Sequence, residues 1–174
     1  MRRLLTSFAL LLVLSPWAQA QLLSPPIAGG VPSQSFGGSG AGVHSPESPF
    51  PPIQERADVL SWAMLTTVRT RVEKNRVLPV FPPAILALHG KTQRVQGFMM
   101  PLEPGERQKH FLLSSVPLTC SFCVPGGPES MIEVRTRTPV KYGMEPVVVE
   151  GQFHVLHDDQ YGLYYRVTEA VPVK

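Results

Sequence analysis

The chain has 174 residues, 43% of them hydrophobic, and its 16 basic against 13 acidic side chains give a formal net charge of +3. Two of the basic residues, Arg2 and Arg3, belong to an N-terminal signal, which leaves 14 basic against 13 acidic residues in the mature chain. So even a balance carries no electrostatic footprint for nucleic acid, and no basic amphipathic stretch is present to hold the chain on a membrane surface.

The signal reads in order. Met1-Arg2-Arg3 is a short positive start, Leu4 to Leu14 is an almost unbroken apolar run of eleven residues interrupted only at Thr6-Ser7, Pro16 breaks it, and Ala18-Gln19-Ala20 is a small-x-small cleavage site. A transmembrane span needs about 20 apolar residues, so residues 1–20 read as a cleaved secretory signal peptide and not as an anchor. The Arg pair lacks the flanking residues of twin-arginine export, and no Cys near the cleavage point offers a lipid attachment. The mature protein is expected to be periplasmic and soluble, with no membrane insertion after cleavage.

Residues 21–52 read as a disordered linker. Seventeen of the thirty residues from 21 to 50 are Pro, Gly or Ser, and such a segment buries too little apolar surface to offset its ordering entropy. Residues 53–174 remain for one domain with one core. Within it, Ile53, Ala57, Leu60 and Met64 fall near helical spacing and predict a short amphipathic helix over Gln54–Leu65. Thr66 to Val72 alternates and is β-branched, which predicts a strand. Pro82-Pro83 followed by Ala84 to Leu88 predicts one or two helical turns, with Gly90 to stop them.

The rest reads as β. Strands are expected over Thr92–Met99, His110–Ser114, Ser130–Thr136, Val147–Val155 and Gly162–Thr168, separated by turn signals such as Glu103-Pro104-Gly105-Glu106 and Asp158-Asp159-Gln160. Gly97 and Gly151 suit the tight bends of a closing barrel. The expectation is a mainly β domain: a small antiparallel OB-like barrel with one or two short helices.

The chemistry concentrates in Thr119-Cys120-Ser121-Phe122-Cys123-Val124-Pro125-Gly126-Gly127-Pro128, which joins two expected strands and holds both cysteines of the chain. In an oxidising compartment two thiols at this spacing pair or hold a metal. Three readings compete. A structural disulfide here closes a loop of four residues and stabilises by only about 2 kcal/mol. A redox pair wants a helix N-terminus or a cation beside it, and Pro125 to Pro128 forbids a helix. A metal site would use two soft thiolates suited to Zn²⁺ or Cu(I), with further ligands from His110, His154, His157 or a second protein.

Each of these histidines also has an ordinary role: His89 caps a helical turn, His110 and His154 face water, and His157 sits in a turn. Met99 and Met100 point to opposite faces of a strand, so one is core. Asp158-Asp159 suits turn chemistry. No nucleophile elbow, H-E-x-x-H helix or phosphate loop is present. That leaves thiol–disulfide exchange as the one enzymatic alternative.

Val80-Phe81-Pro82, Leu88-His89-Gly90-Lys91, Val95 to Leu102, Phe111-Leu112-Leu113, the Cys120 to Pro128 run and Gly162 to Arg166 together resemble an uncharacterised family of exported bacterial proteins, a domain of unknown function. The resemblance covers Leu78 to Glu169, and its most specific part is the Cys-x-x-Cys-x-Pro-Gly-Gly-Pro run. It implies an OB-like fold and an association with ABC-type permeases and metal homeostasis, often of zinc. The sequence reading is thus an exported, non-enzymatic accessory protein that binds Zn or Cu through Cys120 and Cys123, with a membrane transporter component as its partner. The alternatives are a thiol–disulfide exchange protein and a transporter-associated interaction module with a structural disulfide.

Overall fold

The computed structural model describes residues 40–173. The expected signal peptide, residues 21–39 and Lys174 lie outside the described residues.

The stretch expected to be helical from Gln54 to Leu65 is a helix only over α1, Trp62–Leu65. Other partners claim the backbone and side chains ahead of it. The Leu60 N–H reaches across to the Arg94 carbonyl at 2.9 Å. The Asp58 carboxylate accepts from Arg56 at 2.9 and 2.8 Å and from Arg94 at 2.9 Å. Ser61 then opens the turn by accepting the Ala63 N–H at 3.2 Å, the usual N-cap role.

Strand β1 (Arg69–Glu73) pairs with β2 (Arg76–Val80) in a hairpin. Its turn residues Lys74 and Asn75 have φ of 46° and 63°, the sign that a two-residue type I′ turn requires. Sequence reading gives β1 and misses β2, because Pro79 breaks the strand signal and Lys74 hides the turn. The short helix α2 (Pro83–Leu86) stands where Pro82 to Leu88 predicts it, with proline at its first position.

Five further strands form a closed barrel: β3 (Thr92–Pro101), β4 (Arg107–Ser114), β5 (Met131–Lys141), β6 (Val147–Val155) and β7 (Tyr165–Val173). Their order around the barrel is β3-β4-β5-β7-β6, with β6 closing onto β3. The fold class expected from the sequence is correct, with one amendment. The barrel is not wholly antiparallel, because β5 and β7 pair in parallel. A ring with an odd number of strands cannot alternate direction throughout, so closure itself demands a parallel pair.

Both expected barrel glycines sit at close approaches. A Cβ on Gly97 would lie 2.8 Å from the Ser114 carbonyl oxygen, and one on Gly151 would lie 2.6 Å from that of Thr168. The β6–β7 register also slips between Glu150 and Gln152, which fits a glycine at a bend. Inward-facing Phe111, Leu113, Ile132, Val134, Val149 and Phe153 are fully buried. Leu65 of α1 and Ile85 of α2 join the same cluster. The Tyr165 hydroxyl ties α1 down by donating to the Leu65 carbonyl at 2.6 Å.

The expected linker needs a second correction. Its described part, residues 40–52, lies against the barrel as a strap. Val43 and Val124 form a two-bond antiparallel bridge, N···O 2.8 and 2.9 Å. Phe50 is buried against Phe98 and Cys120. The apolar surface that this segment lacks is supplied here by the barrel.

Candidate functional site

Between β4 and β5 the chain makes a long excursion, and its second half is the Cys loop. Two tight turns start it: the Cys120 N–H bonds the Pro117 carbonyl at 3.2 Å, and the Cys123 N–H bonds the Cys120 carbonyl at 3.3 Å. Cys120 and Cys123 are joined as a disulfide with a Cα–Cα separation of 5.4 Å, inside the usual range. Cys120 is buried in a small satellite cluster with Phe50 and Phe98, and Cys123 packs on that cluster's edge. Phe50 meets Phe98 edge-on at 6.1 Å between centroids. Ser48 of the strap places its hydroxyl 3.4 Å from the Cys120 sulfur.

The glycines after the cysteines have a steric reason. A Cβ on Gly126 would collide with the Gly40 carbonyl and the Ser130 hydroxyl, and one on Gly127 would press on the Glu129 carboxylate at 2.5 Å. On the strap side, Gly42 has φ +75°, and a Cβ there would lie 2.5 Å from the Val124 carbonyl. Two backbones thus meet with no side chain between them. Glu129 is buried, and its carboxylate accepts the Gly40 N–H at 2.6 Å. The Ser115 hydroxyl donates to the Ala41 carbonyl. The Cys-x-x-Cys-x-Pro-Gly-Gly-Pro run is therefore the seat of the strap. His44, which the sequence reading passes over, stacks on Phe98 at 6.1 Å with 15° between the rings.

The histidines considered as metal ligands have other partners. His110 is not solvated as expected: its Nε2 is 2.7 Å from Glu133. His154 does not simply face water either. Its Nε2 is 2.8 Å from the Thr168 hydroxyl, and its ring meets His89 edge-on at 5.7 Å. Burial first, then the nearby His89 and Arg166, holds the His154 imidazole below its ordinary pKa. His89 accepts the Val155 N–H on Nδ1 at 3.1 Å, which ties the end of the α2 turn to β6. His157 stands edge-on to Phe81. Among the described residues no three His, Cys, Asp or Glu side chains come together as a metal site. In the disulfide state neither sulfur is a thiolate ligand. Met99 is core, as one of the methionine pair was expected to be. Asp159 makes the expected turn by accepting the Tyr161 N–H at 2.8 Å.

One polar cluster escapes the sequence reading. Glu133 is on the outer face of β5 and yet only 3% exposed. Its carboxylate takes bonds from Arg166, from Arg135 at 3.0 and 3.1 Å, and from His110. Burial would raise its pKa, but the bonds from Arg166, His110 and Arg135 outweigh burial and hold it below the ordinary carboxylate value. Arg166 also reaches Asp159 at 3.1 Å. The available signal was Glu133 and Arg135 two apart on one strand face. Their partners Arg166 and His110 come from β7 and β4, which only the barrel order brings alongside.

These features define a five-stranded closed barrel that carries a disulfide-stapled loop with a strap seated on it. Residues 81–163 match the family model DUF3299, a protein of unknown function. A crystal structure of a DUF3299 family protein from Pseudomonas aeruginosa PAO1 is 24% identical, with coverage of 55% of this chain and 68% of that one and a TM-score of 0.42. No curated protein matches the chain.

Proposed function

We propose that this chain is an exported, non-catalytic OB-like binding module whose Cys120–Cys123 disulfide fixes the loop that seats the strap. The observation that carries the reading is the pairing of the two sulfurs beneath Phe50, with the strap bridged to the same loop at Val124. Export agrees with a persistent disulfide. The barrel order β3-β4-β5-β7-β6 with its one parallel pair supports the OB-like assignment, since an OB barrel is a five-stranded Greek key. The strand face that OB barrels use for polyanions here holds Glu133 among its cations, so charge compensation argues for a neutral ligand or a protein partner. On the resemblance described above, that partner is a component of an ABC-type permease.

The test is thiol counting and metal analysis on the same sample, purified from the periplasm under non-reducing conditions. The expected outcome is no free thiol and no bound zinc or copper. Two free thiols with a stoichiometric metal would replace this reading with a metal-binding loop. Rapid exchange of the pair with a dithiol reporter would replace it with thiol–disulfide exchange.

A further inference from the structure

The β1–β2 hairpin forms a sheet of its own, and among the described residues no third strand joins it. Every residue of β1 is exposed. The two-residue turn makes Glu73 and Arg76 the first hydrogen-bonded pair, and bonded pairs then alternate along the ladder. Arg69, Arg71 and Glu73 therefore turn their N–H and C=O groups to β2, and Thr70 and Val72 turn theirs outward. Pro79, the partner of Thr70, fits this parity because it has no N–H to give. The same proline guards the far edge of the hairpin, where a strand pairing with β2 would find a donor missing. The β1 edge carries no proline. There the N–H and C=O of Thr70 and of Val72 face out, and Val72 is 74% exposed.

The guard on this edge is charge, and charge is selective. Residues 69–80 carry Arg69, Arg71, Lys74 and Arg76 against Glu73 alone. Arg71 pairs with Glu73 at 3.2 Å and Arg76 bonds Asp158 at 2.8 Å, whereas Arg69 and Lys74 have no ion-pair partner among the described residues. A second copy of β1 in full antiparallel overlap would set Arg71 directly against Arg71, which is unfavourable. We propose that the β1 edge binds an extended acidic segment of a partner protein, added as a third strand antiparallel to β1. The main chain of that segment bonds Thr70 and Val72, and its side chains facing Arg69 and Arg71 are carboxylates. In strand addition of this kind main-chain bonds supply affinity and side chains supply selectivity. The edge shares no residue with the strap's seat, so the proposal does not rest on the state of the disulfide.

The probe is the capped peptide Lys-Val-Glu-Thr-Glu, which in antiparallel register sets its carboxylates opposite Arg71 and Arg69 and its Lys opposite Glu73. One control is Glu-Val-Lys-Thr-Lys, with every charge reversed. The other is the parent peptide N-methylated at its Val and Thr, which removes the donors aimed at β1. Isotope-labelled mature protein is titrated with each and followed by NMR. The Thr70 and Val72 amide signals should shift and saturate at roughly millimolar peptide, a weak affinity because a free segment loses its own freedom on binding. The Val149 amide, inside the barrel sheet, should not move. The charge-reversed peptide should bind about tenfold more weakly, and the N-methylated one should not bind. Val72→Pro removes an outward N–H and leaves the β1–β2 ladder whole, so it should abolish binding and keep the hairpin. If that variant fails to fold, the N-methylated peptide on the unaltered protein still tests the edge. Equal binding of the charge-reversed peptide, retained binding of the N-methylated one, or no shift at Thr70 and Val72 would each overturn the proposal. So would a dimer of the unaltered protein that Val72→Pro dissociates, because the edge would then belong to a second copy.

Discussion

The stapled end of the barrel and the Glu133 face do the same job by different physics. Each ties together segments far apart in sequence: Gly40 to Glu129 and Val43 to Val124 at one, His110, Glu133 and Arg166 at the other. At the first, backbones touch because glycines remove every Cβ between them, and Phe50 fills the remaining gap. At the second, a carboxylate is taken out of water and bonded by two guanidinium groups and an imidazole. The Phe50 packing is indifferent to protons, whereas the contacts of the Glu133 carboxylate are not. Variants at Phe50 and at Glu133 should therefore separate when pH is varied.

The largest effect is expected at the shape-held end. Phe50→Ala opens a cavity in the small cluster with Phe98 and Cys120, and should destabilise by about 3 kcal/mol. Denaturant melts at pH 7 and pH 4 should give the same loss. Glu133→Gln should cost about 2 kcal/mol at neutral pH, from bonds to charged donors that a neutral amide replaces poorly. Its loss should vanish in acid. The folded pKa of Glu133 is depressed, so its contribution is complete above the ordinary glutamate value of about 4.3. That contribution disappears as pH falls through the lower folded value. A Glu133→Gln penalty that stays constant into acid would mean that shape, not charge, holds this face too.

Much of the fold is legible in the sequence because alternation is a local signal. Inward Val147, Val149, Phe153 and Val155 announce β6, and Gly97 and Gly151 mark bends that the barrel does make. The Cys loop is equally visible as a motif. The strap is not, since Gly40, Gly42 and Pro49 read as disorder until a partner surface exists for them. The α1 segment misleads for the same reason: Arg94, more than thirty residues away, takes the Leu60 N–H and Asp58 that a helix would have used. Glu133 is hidden because an outward-facing glutamate on a strand looks solvated until β4 and β7 arrive beside it.

The disulfide comes next in size. A bond closing a loop of four residues is worth about 2 kcal/mol at most, and less where prolines already stiffen the unfolded chain. Cys120→Ser with Cys123→Ser should therefore lower stability modestly, by about 1 kcal/mol. Its local effect should be larger. The Val43 and Val124 amides, which bond each other's carbonyls, should exchange with solvent faster than barrel amides such as Val149. Uniform acceleration across the barrel would instead show that the staple supports the whole fold and not the strap's seat.

The smallest expected effect concerns His154, where burial, His89 and Arg166 together disfavour the charged ring. A depressed folded pKa means that the unfolded chain binds the proton more readily. Stability is complete above the ordinary histidine value of about 6.5 and falls as pH drops from there through the folded value. The ring is only partly buried, so the loss should stay under about 1 kcal/mol once solvent screening is counted. His154→Gln keeps a polar group near Thr168 and removes the titration. The difference between wild-type and variant stability should therefore change between pH 7 and pH 5, and the variant should lose less. This window lies above the one in which Glu133 titrates, so one pH series resolves both groups. A difference that stays flat across it would place His154 in solvent-like surroundings, against its contacts with Thr168 and His89.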